Sequence, residues 1–199
     1  MGVRNFFHFE HHLGELEKDV YPQPQRGDNH YGWAKDVIER WIPNLSVYDV
    51  LDVGCGEGFC QEFFEKYNIE YLGTTYSSDD YSYAKDKDRK VIAQDFNFLE
   101  ANGDRYDLIF ARHSLEHSPM PLLTLMEWHR VARKYLILVM PNPGDYGWAG
   151  RNHYSVAGIE QIKFWLDRAG WEVTEEWHVD TEFRFLCKKV KRKIPFYED

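Results

Sequence analysis

Residues able to do chemistry gather at three places in this chain of 199 residues. The first is Asp52-Val-Gly-Cys-Gly-Glu-Gly58, an acidic residue followed by glycines at every second position, Gly54, Gly56 and Gly58. Glycine tolerates left-handed backbone, and its missing side chain lets a ligand approach the main chain. If such a turn opens a helix, the helix's unpaired N–H groups favour an anionic ligand group, a carboxylate or a phosphate. The second is Arg112-His-Ser-Leu-Glu-His117, whose imidazoles, His113 and His117, are candidate acid–base or acceptor-binding groups. The third is the glycine-rich stretch from Pro141 to Tyr154, which adds Tyr146 and His153 and has the length of a functional loop or lid.

The elements that must position these groups follow from the apolar pattern. Val50, Leu51 and Val53 suit the end of a buried parallel strand. Phe59, Cys60, Phe63, Phe64 and Tyr67 recur at helical spacing, so the glycine turn leads from strand to helix. Ahead of it, Trp33, Val37, Ile38 and Trp41 give a helix ending at Pro43-Asn44. Ile69 to Tyr76, Arg89 to Asp95, Tyr106 to Ala111 and Lys134 to Met140 read as further strands. A helix with Pro119 at its first position separates the last two, and a helix capped by Ser155 and stopped at Gly170 follows the long loop. Trp171 to Val179 and Phe183 to Cys187 close the chain as a hairpin. Strands alternating with helices specify an α/β domain with a mostly parallel sheet and helices on both faces.

Composition narrows the function classes. Hydrophobic residues at 43% and charged residues at 29% fit a globular protein. A formal charge of −9 argues against nucleic acid as the main partner. Cys55, Cys60 and Cys187 have no metal-ligand spacing and read as small apolar residues in a reducing, cytoplasmic setting. The N-terminal residues carry no apolar signal run, and no stretch reaches membrane-spanning length. His8, Glu10, His11 and His12 lie in a polar arm, and no metal site is expected. Residues 1–28 read as an N-terminal extension, 29–188 as the domain, and 189–199 as a basic C-terminal tail.

The ligand follows from the glycine spacing. A dinucleotide fingerprint needs a third glycine where Phe59 stands, which disfavours a nicotinamide oxidoreductase. The order D-x-G-x-G-x-G instead resembles the first motif of the class I methyltransferases that use S-adenosylmethionine (SAM). Tyr106-Asp-Leu-Ile-Phe-Ala-Arg-His-Ser-Leu-Glu-His117, with Arg130-Val131 beyond it, resembles the type-11 branch of that family. The resemblance implies a single Rossmann-like domain with a seven-stranded, mostly parallel sheet carrying a C-terminal antiparallel hairpin strand. It also implies a cofactor site drawn from Asp52, Val53, Gly54, Cys55, Gly56, Gly58, Thr75, Tyr76, Gln94, Asp95, Phe96, Arg112 and His113. In the family the glycine loop wraps the methionine end of SAM, and the acidic residue of the first strand lies near its amino group. An acidic residue after the third strand, here Asp95, reads the adenine.

Thr75 departs from the pattern, since it stands where the family places an acidic residue for both ribose hydroxyls. Asp79 and Asp80 lie a turn later and could substitute, although they read more readily as caps of the following short helix. The expected function is methyl transfer from SAM to a small-molecule acceptor, with His113, His117, Tyr146 and His153 as catalytic candidates. The alternative is a SAM-binding regulatory or partner protein without catalysis, kept open by Thr75.

Overall fold

The computed structural model describes residues 28–144 and 152–191, and these form seven strands with helices on both faces. In chain order they are α1 (Asp28–Trp41), a 3-10 turn (Ile42–Asn44), β1 (Asp49–Val53), α2 (Gln61–Glu65), β2 (Glu70–Thr75), α3 (Ser78–Asp86) and β3 (Val91–Ala93). Then come β4 (Tyr106–Arg112), a 3-10 turn (Leu115–His117), α4 (Pro121–Val131), β5 (Ala132–Pro141), α5 (Ile159–Ala169), β6 (Trp171–Glu176) and β7 (Glu182–Lys189). The sheet order is β3-β2-β1-β4-β5-β7-β6. β1 to β5 pair in parallel, and β7 runs antiparallel to both β5 and β6, as the expected fold class requires.

The apolar runs are continuous because each central strand is covered on both faces. Alternate residues go to opposite cores. Leu51, Val53, Ile109, Ala111, Leu136 and Leu138 pack with Leu125, Trp128, Ile162 and Leu166 of α4 and α5. Val50, Leu108, Phe110, Ile137 and Val139 pack with Ala34, Val37, Ile38 and Trp41 of α1 and Phe63 and Phe64 of α2. α1 also touches the turn that follows the glycines, since the Tyr31 ring lies 5.9 Å from that of Phe59 and 4.6 Å from that of Phe63.

Several local expectations shift. α2 is only 5 residues long, because residues 57–60 belong to the turn. β3 stops at Ala93, so Asp95 lies in the following turn and not on the strand. Pro121, not Pro119, occupies the start of α4, because Leu115–His117 first form a 3-10 turn. Ser155 does not cap α5. Gly158 holds that position, and the Ser155 hydroxyl donates to the Ser118 carbonyl. Gly170 ends α5 as expected, at φ 92°. No helix among the described residues is long and apolar enough to cross a membrane.

Candidate active site

β1, β2 and β4 run side by side and end together, with Val53 opposite Thr74 on one side and Ala111 on the other. The glycine turn leaves this edge. It is tied to β2 by Cys55 N–H donating to the Thr74 carbonyl at 2.9 Å, and to the end of β4 by the Ser114 hydroxyl donating to the Val53 carbonyl at 2.7 Å. All three glycines have positive φ, but their missing side chains serve different ends. A Cβ on Gly54 would meet Ser114 Oγ at 2.5 Å, and one on Gly58 would meet Val91 Cγ2 at 2.6 Å. Among the described residues, a Cβ on Gly56 would meet only Asp80 Oδ2, at 3.8 Å. The outer two glycines make room for protein. At Gly56 the nearest described atom to such a Cβ belongs to Asp80, and it stays at ordinary contact distance.

Asp52 is 3% exposed, and its Oδ2 accepts a hydrogen bond from the Tyr71 hydroxyl at 2.8 Å. Burial pushes its carboxyl up to about 7, which the hydrogen bonds from Tyr71 and Cys60 and the charge of Arg112 only partly offset. A cation brought beside this group would favour its ionised form. Val53 and Cys55 have buried side chains and meet the turn through their main chain, and burial pushes the Cys55 thiol up.

Thr75 ends β2, and its Oγ1 accepts a hydrogen bond from Ser77 N–H at 3.3 Å, so it supports the turn into α3. Tyr76 is half exposed beside it. Ser77 caps α3 by accepting from Asp80 N–H at 3.2 Å. The capping side chain is therefore Ser77's, and the buried carboxylate of Asp80 faces the glycine turn. Capping, the bland role open to Asp80 from sequence, belongs to its neighbour. Gln94 N–H donates to the Thr75 carbonyl at 3.0 Å, which brings the segment after β3 to the same edge. There Asp95 Oδ1 accepts from both the main-chain N–H and the side-chain amide of Asn97, at 2.7 and 2.9 Å, and Phe96 is buried beside it.

The end of β4 carries a different chemistry. Arg112 donates to Glu182 Oε1 at 2.8 Å, His113 Nε2 lies 2.8 Å from the same oxygen, and Arg184 donates to Oε2 at 2.7 Å. Burial pushes the Glu182 carboxyl up, but His113, Arg112 and Arg184 outweigh it and hold the group at about 2. His113 sits at φ 51° with its Nδ1 3.4 Å from Glu116 Oε1. Burial works against its charge, yet the two glutamates raise its pKa above the ordinary imidazole value. The two glutamates favour its charged form and tie the ring into the network at the end of β4. Nothing in the sequence pattern pointed to Glu182, because its partners arrive only through the antiparallel pairing of β7 with β5.

Of the other catalytic candidates, His117 is buried, and its Nδ1 lies 3.1 Å from the Asn152 carbonyl. That contact places the proton on Nδ1 and the lone pair on Nε2. Burial keeps its pKa below the ordinary value. The His153 ring stands edge-on to it at 4.9 Å. Tyr146 lies outside the described residues.

Comparison with known proteins places this arrangement. The methyltransferase-domain family model matches residues 26–176. A SAM-dependent methyltransferase from Archaeoglobus fulgidus is similar at 20% identity, over 92% of this chain and 99% of its own, with a TM-score of 0.67. One from Aquifex aeolicus matches at 20% identity over 89% and 98%, with a TM-score of 0.66. A Haloferax volcanii methyltransferase in complex with the methyltransferase activator Trm112 matches at 12% identity over 93% and 97%, with a TM-score of 0.71. At these identities the structures speak for the fold. No curated protein matches. On the strength of the match across residues 26–176, this chain belongs to the methyltransferase-domain family, with S-adenosylmethionine as its cofactor.

Proposed function

We propose that this enzyme methylates a small-molecule acceptor held beyond the ends of β4 and β5, with SAM lying across the ends of β1, β2 and β3. The observation that carries the reading is the glycine turn, where among the described residues only Gly56 of the three has room for a side chain, with the buried carboxylates Asp52 and Asp80 at the same turn. SAM supplies a methyl carbon already activated by the sulfonium. The chain's share is to hold both reactants in line and keep water out.

Asp52 faces the ammonium group of the methionine end, whose charge favours its ionised form. Asp80 takes the ribose hydroxyls in place of the acid that Thr75 replaces, since a carboxylate can accept from both. Asp95 and Phe96 read the adenine edge and cover its ring, with Gln94 beside them. Arg112 and His113, locked to Glu182, shape the wall between cofactor and acceptor. His117 and His153 face the acceptor, and the loop from Pro141 to Tyr154, which contains Tyr146, governs which acceptor enters. A reducing, cytoplasmic setting is part of the reading, as Cys55, Cys60 and Cys187 are buried free thiols.

Incubation with methyl-tritiated SAM and a cell extract, followed by size fractionation, tests the acceptor class. Label in the low-mass fraction supports the reading. Label confined to protein or RNA fractions, or SAM binding with no transfer at all, sinks it.

A further inference from the structure

We propose that Glu116, His117 and His153 form a binding site for a first-row divalent metal ion beside the cofactor, an inference that rests on the reading above and deepens its acceptor side. One donor atom from each of the three residues lies within 4.8 Å of the others. A carboxylate with two imidazoles is a donor set that suits manganese, iron, cobalt or zinc ions and leaves further positions open for water or an acceptor oxygen.

Two independent features point to a cation here. Glu116 is fully buried, and among the described residues neither of its carboxylate oxygens receives a hydrogen bond. Its one ion-pair partner, His113 Nδ1, stands 3.4 Å away and also serves Glu182. A buried carboxylate is costly unless a charge compensates it, and the charge that does so here is that of His113, which Glu182 shares. The second feature is the orientation of His117. Its Nδ1–H donates to the Asn152 carbonyl at 3.1 Å, which fixes the ring beside Glu116 and His153. An outer hydrogen bond of this kind is the usual support of a metal-bound imidazole.

The placement gives the ion a use. Ser114, two residues before Glu116, is bonded to the Val53 carbonyl and packed against Gly54, so the cluster stands next to the glycine turn. His153 arrives from the far side of the loop after β5, and Ser155 N–H donates to the Glu116 carbonyl at 2.9 Å, which fixes the two segments together. An ion held there would polarise a hydroxyl acceptor and lower its pKa beside the cofactor. Local pattern does not join these donors, because His153 is separated from Glu116-His117 by a helix, a strand and a loop.

The test is titration of chelator-treated full-length protein with Co2+, Mn2+ or Zn2+ alone, followed by calorimetry and the visible absorption of bound Co2+, with SAM affinity measured in parallel. One equivalent per chain is expected, with affinity lowered at least tenfold in Glu116→Gln and in His153→Ala. His153 is only half buried, so its variant remains informative if the Glu116 variant fails to fold. Wild-type protein that binds SAM and takes up no metal overturns this inference and leaves the methyltransferase reading standing. Uptake unchanged in His153→Ala overturns it as well, by placing the ion elsewhere. Failure to bind SAM is the separate outcome that would undo the reading beneath it.

Discussion

Two buried carboxylates at the same edge of the sheet are held in opposite states. Asp52, on the proposed cofactor half, is pushed up to about 7 because burial outweighs the hydrogen bonds from Tyr71 and Cys60 and the charge of Arg112. Glu182, on the acceptor half, is held at about 2 because Arg112, Arg184 and His113 surround it. One half leaves a charge to be completed by its ligand. The other neutralises its charges within the protein, and on the proposed reading that network holds the wall between the two ligands in place. The difference separates a residue that binds from a residue that braces, although both are buried acids at strand positions.

The largest expected effect breaks the brace. Glu182→Gln leaves Arg112 and Arg184 buried against a neutral amide, and denaturant unfolding should show a loss of about 3–5 kcal/mol. A loss below about 1 kcal/mol would mean that the network is incidental. The wild-type group adds a pH signature. Its folded pKa lies below the ordinary 4.5, so the stability it contributes is full above that value. That stability is lost as pH falls from about 4.5 towards 2, by roughly 3 kcal/mol in all.

Asp52 has the opposite sign. Its folded pKa lies above the ordinary 3.8, so its cost to the ligand-free fold grows as pH rises from about 4 to 7 and then levels off. Asp52→Asn should therefore stabilise the ligand-free protein at pH 8, by roughly 2–4 kcal/mol, while weakening SAM. Thermal melts with and without SAM check both halves. A variant destabilised at pH 8 would place Asp52 among the braces.

Smaller effects sharpen the cofactor half. Asp80→Ala should weaken SAM by about 1–3 kcal/mol by calorimetry, the usual result of stranding buried partners. Thr75→Ala should leave SAM affinity within about 0.5 kcal/mol, because Oγ1 supports only a 3.3 Å turn contact. The reverse ranking would return the ribose to Thr75.

The parts legible in the sequence were those written in local pattern. Val50 to Val53, Tyr106 to Ala111 and Lys134 to Met140 announced central strands by nearly continuous apolar runs, the first two each broken by one aspartate, and the glycine triplet announced the turn. Starts and caps were harder. Pro119 and Pro121 both satisfy a helix start, and only the intervening 3-10 turn decides between them. Ser155 has a capping side chain but spends it on Ser118. Charge partners across the sheet were not legible at all. Glu182 lies 70 residues from Arg112, and the two meet only through strand pairing. Asp80 shows the same limit on a smaller scale, since Ser77, Ser78, Asp79 and Asp80 all carry capping side chains and only the fold shows that Ser77 is the cap.

The central claim is that Gly56 faces the ligand while Gly54 and Gly58 face the protein. Calorimetric titration of Gly56→Val with SAM, beside wild-type protein titrated with SAM and with NAD, tests it most directly. Wild-type protein should bind SAM and not NAD, and the variant should keep its circular dichroism while losing SAM. A folded variant that binds SAM as wild type does would contradict the account.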